Sequence, residues 1–192
     1  MRVIFGAALA LLLSCAIPRP SFADSFENEV LAEINRARAY PSRYARVLLR
    51  ERANYEDSRR DPGALEDAVE FLMRQSPLPP LSPDGRIAAA AAELAGVQSR
   101  RGGVGHGARG NLGRRLQEQG VFAGLAAEVI SYGQATPADV VRQLIVDAGV
   151  PSRGHRHDIF GANYRIAGVA CGPHPKWDDM CVIDLAGAVM NR

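Results

Sequence analysis

Two segments rich in valine and isoleucine near the C-terminus, 165–171 and 180–190, constrain the fold most. The hydrophilic stretch 172–179 between them has the composition of a turn, so the pattern predicts an antiparallel hairpin. Cys171 and Cys181 stand on its two sides, ten residues apart, and a disulfide across the hairpin is geometrically easy. Two buried free thiols are the alternative. A bridge closing so short a loop contributes about 2–3 kcal/mol of stability.

The rest of the chain is mainly helical in pattern. We expect helices at 29–39, 44–52, 64–75, 83–99, 112–119 and 136–148. Pro41 should end the first helix, and Ser82 should cap the alanine-rich fourth one, with Pro83 in its first turn. A further strand is predicted at 128–132. Helices first and strands later predict an α+β fold in which helices cover an antiparallel sheet.

The N-terminus has the pattern of an export signal. Arg2 precedes the apolar run 3–13, and Ser21-Phe22-Ala23 offers small residues for cleavage before Asp24. We therefore predict a signal peptide at 1–23 and a periplasmic or secreted product. A buried N-terminal helix is one alternative, and a lipoprotein anchored through Cys15 is another. The apolar run is shorter than the roughly 20 residues that a membrane-spanning helix needs, and no later segment is predicted to span one.

The predicted mature chain, residues 24–192, is long enough for a single domain with its own core. Removing 1–23 lowers the number of basic residues from 23 to 21, which equals the 21 acidic residues. A neutral chain without a clustered basic face is not expected to bind nucleic acid.

Three segments carry chemistry-bearing side chains: Gly105-His106-Gly107, Glu128 at the head of an apolar strand, and Gly154-His155-Arg156. Two imidazoles and a carboxylate are typical of a zinc site or of an acid–base site. The structural alternatives are an ordinary loop histidine and a carboxylate that binds a backbone amide. A buried carboxylate needs a partner in either case.

Two further histidines are weaker candidates. His155 and His157 lie two residues apart and would share a face on an extended segment, whereas a helix starting at Gly154 would separate them. We expect His155 to point inward and His157 to be exposed. His174 stands between prolines in the predicted hairpin loop, and we expect it at the surface.

Several short segments, taken in order, resemble the CAP superfamily, also called the SCP domain, and its bacterial members most closely. The segments are 31–38, Pro80-Leu81-Ser82-Pro83-Asp84, Gly105-His106-Gly107, Ala127-Glu128-Val129-Ile130, Gly154-His155-Arg156, 169–172 and 181–184. The resemblance implies a three-layer α–β–α sandwich with a central antiparallel sheet. Residues 42–76 then form an insertion before the second main helix.

The resemblance also implies a cleft lined by two histidines and two acids, which can hold a divalent metal such as zinc or calcium. His106, Glu128 and His155 match three of these positions and are the implied metal ligands. The second acid of the family follows a Trp-x-x-Glu pattern on the helix before the second histidine. Here that helix offers Leu144-Ile145-Val146-Asp147, so Asp147 takes the acidic position with a shorter side chain and without the tryptophan.

The function implied by this resemblance is that of an extracytoplasmic binding or interaction module. Its partner would be a lipid, a peptide or another envelope component. Apolar walls beside the cleft could come from Phe122, Leu125 and Phe160, although core packing is the alternative for each. The alternative function is a metal-dependent hydrolase or peptidase, in which Glu128 would bind the metal or act as general base towards bound water.

Overall fold

The computed structural model describes residues 25–51, 61–107 and 111–190. The predicted signal peptide, Cys15 and residues 52–60 lie outside these ranges. The helices are α1 Phe26–Ala39, α2 Pro41–Arg50, α3 Ala64–Arg74, α4 Gly85–Arg101, α5 Asn111–Glu118, α6 Pro137–Val146 and α7 Gly154–Ile159. The strands are β1 Ser82–Pro83, β2 Phe122–Ala123, β3 Ala126–Tyr132, β4 Ile166–His174, β5 Asp178–Ala186 and β6 Val189–Met190.

Four strands form the central sheet in the order β1-β4-β5-β3. β3 and β4 both run antiparallel to β5, as predicted, but β1 pairs with β4 in parallel. The sheet is therefore mixed. The backbone N–H groups of Ser82 and Asp84 donate to the carbonyls of Arg165 (2.8 Å) and Ala167 (2.9 Å), which joins β1 to β4. β2 and β6 form a separate small antiparallel pair.

The start of α4 differs from the prediction because the residues expected to begin this helix form β1 instead. Ser82 and Pro83 belong to β1, so Ser82 does not cap the helix. Asp84 is the cap, and its carboxylate accepts the backbone N–H groups of Arg86 (2.8 Å) and Ile87 (3.3 Å). α1 ends at Ala39, before Pro41, as predicted. Pro41 also occupies the first turn of α2, where its missing N–H leaves no bond unmade.

Helices cover both faces of the sheet, which confirms the three-layer α–β–α architecture. α1, α2, α3, α6 and α7 share one large apolar core with one sheet face. α4 and α5 cover the other face. Alternation along β5 divides its side chains between the two layers: Ile183 and Leu185 point to the first, whereas Val182 and Asp184 point to the second.

The β4–β5 hairpin is longer than the sequence predicted. Its turn contains only residues 175–177, and the strands extend on both sides into the stretch expected to be a loop. Cys171 and Cys181 stand directly opposite each other and form the disulfide, with an S–S distance of 2.07 Å. In the described part of the chain, no helix has both the length and the apolar character required to cross a membrane.

Contact between α4 and β4 depends on Gly168. A Cβ atom at this position would lie 2.0 Å from the backbone nitrogen of Ala88. No other residue leaves room for the helix backbone, so this glycine sets how closely the second helical layer approaches the sheet.

Candidate functional site

His106 lies on the loop after α4 and is held by a carboxylate from the sheet. Gly105 and Gly107 on either side have φ angles of +80° and +73°, in the left-handed region that favours glycine. The Nδ1 atom of His106 lies 2.9 Å from Oε1 of Glu128, a β3 residue. The His106 side chain is 58% exposed and that of Glu128 is 3% exposed, so a buried carboxylate orients an accessible ring.

Arg115 of α5 binds the other oxygen of the Glu128 carboxylate. Its side chain is fully buried, and its Nη2 group donates to Oε2 of Glu128. Its Nε group donates to the carbonyl of Ala90 in α4 (3.0 Å). Both oxygens of Glu128 are therefore engaged, one by His106 and the other by Arg115.

Asp184 faces Glu128 directly across the β3–β5 ladder. Its side chain is fully buried, and its nearest cation is Arg115, 3.8 Å away. Burial raises the pKa of Asp184 to about 9, and the neighbouring charge of Glu128 adds to the effect. Asp184 is therefore protonated at neutral pH, which leaves the single charges of Glu128 and Arg115 to balance each other.

The same arrangement favours the protonated form of His106. The hydrogen bond to Glu128 raises the pKa of His106 above its usual 6.5, against the opposing effect of burial. When the ring is neutral, Nδ1–H donates to the carboxylate and Nε2 carries the lone pair.

Three side chains fix the loop that carries His106. Gln98 donates to the Gly105 carbonyl (2.5 Å), and the Tyr132 hydroxyl accepts the Gly105 N–H (2.9 Å) while donating to Gln98 (2.7 Å). His174 bonds the carbonyl of Gly103 through Nε2 (2.9 Å). The loop is thus tied to α4, β3 and the end of β4.

The expectation that His174 lies at the surface is wrong. The residue is 2% exposed, and its Nδ1 accepts the backbone N–H of Lys176 (3.2 Å). Because Nδ1 is the acceptor, Nε2 carries the proton that is donated to Gly103, and the ring is neutral in this arrangement. The longer hairpin places His174 inside a strand rather than in a loop.

A second histidine–carboxylate pair joins α6 to α7. Asp147 follows α6 with a left-handed φ of +56°, which turns its buried side chain towards the start of α7. Its Oδ1 lies 2.7 Å from Nδ1 of His155, and its Oδ2 accepts the His155 backbone N–H (2.9 Å). Asp147 therefore sets the orientation of His155 and stabilises the start of the short helix.

Arg156 holds α7 in place beside this pair. Its buried guanidinium donates to the carbonyls of Ile145 (2.6 Å) and Val146 (2.9 Å) at the end of α6. It also contacts Asp67 of α3 (3.1 Å). The next histidine, His157, is exposed as expected, and its ring lies edge-on to Phe71.

The two pairs lie at the same edge of the sheet. β3 is the outermost strand there, α4 and α5 bring His106 to one face, and α6 and α7 bring His155 to the other. Asp158 of α7 interacts electrostatically with both histidines, and burial raises the pKa of its carboxyl group. A cavity of about 130 Å³ opens beside His155 and Asp147, with Tyr132 and Gln143 in its walls.

The predicted metal ligands are not gathered into one cluster. Among the described residues, no three or more His, Cys, Asp and Glu side chains are arranged to hold a metal ion. His106 and His155 each use Nδ1 for a carboxylate, and no described protein group bonds their Nε2 atoms. Histidines that bind metals commonly donate their other ring nitrogen to a carboxylate in this way.

The candidate apolar walls do not share one surface. Phe160 is buried in the main core against Phe71, with ring centroids 5.3 Å apart. Leu125 is 41% exposed and lies beside Gly187, next to the small β2–β6 pair.

Sequence reasoning missed the residues behind the histidines: Arg115, Asp184, Asp158, Gln98 and Tyr132. Only Asp184 had a usable signal. It is a lone carboxylate in the apolar strand Cys181-Val182-Ile183-Asp184-Leu185, and a charge there needs a buried partner.

A three-layer sandwich with a histidine–carboxylate pair on each side of one sheet edge matches the class that the sequence resemblance implied. The chain belongs to the cysteine-rich secretory protein family, CAP, whose model matches residues 31–185. No protein with a curated description matches it.

Similar solved structures are distant. An extracellular protein of Bacillus anthracis containing an SCP domain is 21% identical, with a TM-score of 0.46 over 67% of this chain and 41% of that one. An outer surface protein of Borrelia burgdorferi is 18% identical, with a TM-score of 0.45 over 57% of this chain and 78% of that one. A cysteine-rich secretory protein of Staphylococcus aureus is 17% identical, with a TM-score of 0.43 over 67% and 40%. This chain thus spans about two fifths of the Bacillus and Staphylococcus proteins, and the family assignment rests on the family model.

Proposed function

We propose that this protein is an exported binding module that recognises its partner through the cleft at the β3 edge. The observation that carries the proposal is the pair of imidazoles, His106 and His155, each oriented by a buried carboxylate through Nδ1. Rings held in this way keep Nε2 as a fixed acceptor or metal ligand. A peptide or an envelope component with a complementary donor fits such a site.

We include a divalent metal in this proposal as a second element of recognition, held by the imidazole nitrogens of His106 and His155 alone. Imidazole nitrogens suit zinc, whereas calcium takes six to eight oxygen ligands, which this cleft does not offer among its described side chains. Two protein ligands are fewer than the four of a structural zinc site. We therefore expect a weak zinc site whose remaining positions are filled by water or by the partner.

Export is supported by two features of the chain. The N-terminal pattern is that of a signal peptide, and the Cys171–Cys181 disulfide is typical of an oxidising compartment. Mass spectrometry of the protein from its native host tests this. A mature chain that begins at Asp24 supports the proposal, a lipid on Cys15 would assign it to the membrane surface, and an intact N-terminus would contradict export.

The alternative function, a metal-dependent hydrolase, has less support from the geometry. A hydrolase of this kind requires Glu128 to bind the metal or to act as general base, but Glu128 already binds His106 and Arg115 with its two oxygens. Its contribution to the cleft is therefore the orientation of His106 rather than the activation of water.

Calorimetry with zinc tests the metal-binding part of the proposal. We expect one zinc per chain, loss of binding in a His106→Ala/His155→Ala double variant, and no measurable calcium binding. His157→Ala is the matched control, because His157 lies in the same helix but is exposed. Zinc binding that survives in the folded double variant, or no binding at all to the folded native chain, would overturn this part.

A further inference from the structure

The outer edge of β4 is largely unpaired, on the side of the sheet opposite the histidine cleft. β1 covers only Ile166 and Ala167, whereas β4 continues to His174. In the described part of the chain, no other strand follows on that side. The stretch Gly168–Pro173 is therefore a sheet edge about 20 Å long, at the usual rise per residue of a strand.

The backbone groups that point outward from this edge can be assigned. The carbonyls of Arg165 and Ala167 accept bonds from the β1 side, and backbone groups alternate along a strand, so Val169 and Cys171 also face outward. The Cα atoms of Cys171 and Cys181 lie 4.1 Å apart, as in an antiparallel pair that exchanges no backbone hydrogen bonds. This distance supports the outward orientation of the Cys171 backbone groups. No described loop or side chain bonds these outward groups.

A groove follows the same edge. One cavity of about 160 Å³ lies beside Gly168 and Val169, and another of about 240 Å³ lies beside Cys171 and Gly172. Glu27 lines both cavities, and we call the two together the β4 groove. Its apolar walls come from Phe26, Leu31, Pro83 and Met180.

The β4 groove has one sign of charge. Its ionisable lining residues are Glu27, Asp84 and Asp179, and no lysine or arginine lines either cavity. Asp84 is paired with Arg86, which leaves Glu27 and Asp179 to attract a cation. The edge itself, Gly168-Val169-Ala170-Cys171-Gly172, carries no charged side chain, although charged side chains are the usual protection of an exposed edge against pairing.

We propose that the β4 edge binds an extended segment of a partner protein as an additional strand, and that this segment carries lysine or arginine residues facing Glu27 and Asp179. Outward N–H and C=O groups of Val169 and Cys171 supply the pairing, and the acidic groove supplies the selection. Pro173 and Pro83 lack a backbone N–H and limit the paired length to a short segment. This site is separate from the histidine cleft and does not depend on its function.

The test is amide hydrogen exchange and NMR titration of the purified protein with the synthetic peptide acetyl-Lys-Val-Lys-Val-Lys-Val-amide. We expect the Val169 and Cys171 amides to shift and to become at least about ten-fold slower in exchange at saturation. The same peptide with N-methylated valines should give no such protection, and the glutamate counterpart should bind more weakly. No shifts, equal protection by the N-methylated peptide, or equal binding of the glutamate peptide would each overturn the proposal.

Variants separate the two parts of the interaction. Val169→Pro removes an outward N–H without removing a bond to β5, so binding should be lost. If that variant does not fold, Glu27→Gln and Asp179→Asn still test the site, and each should weaken binding by about two- to five-fold. Glu29→Gln, on the same helix but outside the groove, is the matched control and should leave binding unchanged. A concentration-dependent dimer that protects the same amides without peptide would assign the edge to a second copy and overturn the proposal.

Discussion

Replacing Asp184 by asparagine should stabilise the protein at neutral pH. Asp184 has an ordinary pKa of 3.8 when unfolded and a pKa of about 9 when buried opposite Glu128. The folded state therefore keeps a proton that the unfolded state releases above about pH 4, and stability falls as the pH rises from there towards 9. Asparagine fills the same space and carries no charge, and its side-chain N–H takes the place of the carboxylic acid proton.

The magnitude follows from the pKa difference. Each pH unit between the two pKa values changes the free energy of unfolding by about 1.4 kcal/mol. About three such units separate pH 7 from the unfolded pKa, so the native protein gives up on the order of 4 kcal/mol at pH 7 relative to pH 4. The Asp184→Asn variant should not show this loss.

Urea unfolding at pH 5, 6, 7 and 8, with a chelator present, measures the effect. We expect the stability difference between variant and native protein to grow by about 1.4 kcal/mol per pH unit across this range. Asp179→Asn, an exposed position in the same strand, should show no comparable slope. A pH-independent difference, or a variant less stable than the native protein at pH 7, would mean that Asp184 is ionised and paired with Arg115.

Three further predictions concern the cleft and the fold. The pKa of His106 measured by NMR should lie above 6.5, and Glu128→Gln should lower the pKa of His106. The His106–Glu128 pair stabilises the fold below about pH 6.5 and ceases to do so as the pH rises through the folded pKa of His106. Tyr132→Phe removes the hydroxyl that accepts the Gly105 N–H, so exchange of that amide should accelerate about five-fold, for a bond of about 1 kcal/mol. Gly168→Ala places a Cβ against the backbone of α4 and should destabilise the protein by about 3 kcal/mol or more in urea unfolding.

Two of these predictions have a control in the chain. Tyr40→Phe changes an exposed tyrosine and should leave the exchange of the His106 loop unaltered. Gly172→Ala lies on the same strand as Gly168 but meets no atom within 4 Å, so its stability should be close to native. An unshifted His106, an unchanged Gly105 amide, or equal effects of the two glycine substitutions would contradict the corresponding argument.

Local sequence signals predicted much of the architecture. The Val- and Ile-rich segments predicted the β4–β5 hairpin, and the spacing of Cys171 and Cys181 predicted its disulfide, which the structure confirms. Thr136 stands before Pro137 and Asp139, a pattern typical of a helix start, and its hydroxyl accepts the Asp139 N–H at 3.2 Å. These features depend on residues close together in the chain, which is why composition and spacing suffice to predict them.

Other features depend on contacts that a single sequence does not show. β1 is two residues long and contains a proline, so it has no strand period to detect. The sequence around His174 predicts a loop residue at the surface. Its burial depends on a contact with Gly103, which is 71 residues away in the chain. The Glu128–Asp184 pairing depends on the register between β3 and β5, which only the folded sheet fixes.

The most direct test of the proposed function is the tautomer and metal response of the two histidines. Long-range ¹H–¹⁵N NMR at a pH where the rings are neutral reports which nitrogen carries the proton. The account predicts Nδ1–H tautomers for His106 and His155, and zinc-dependent shifts at both Nε2 atoms. An Nε2–H tautomer at either ring, or zinc shifts that involve neither, would contradict a cleft built on carboxylate-oriented histidines.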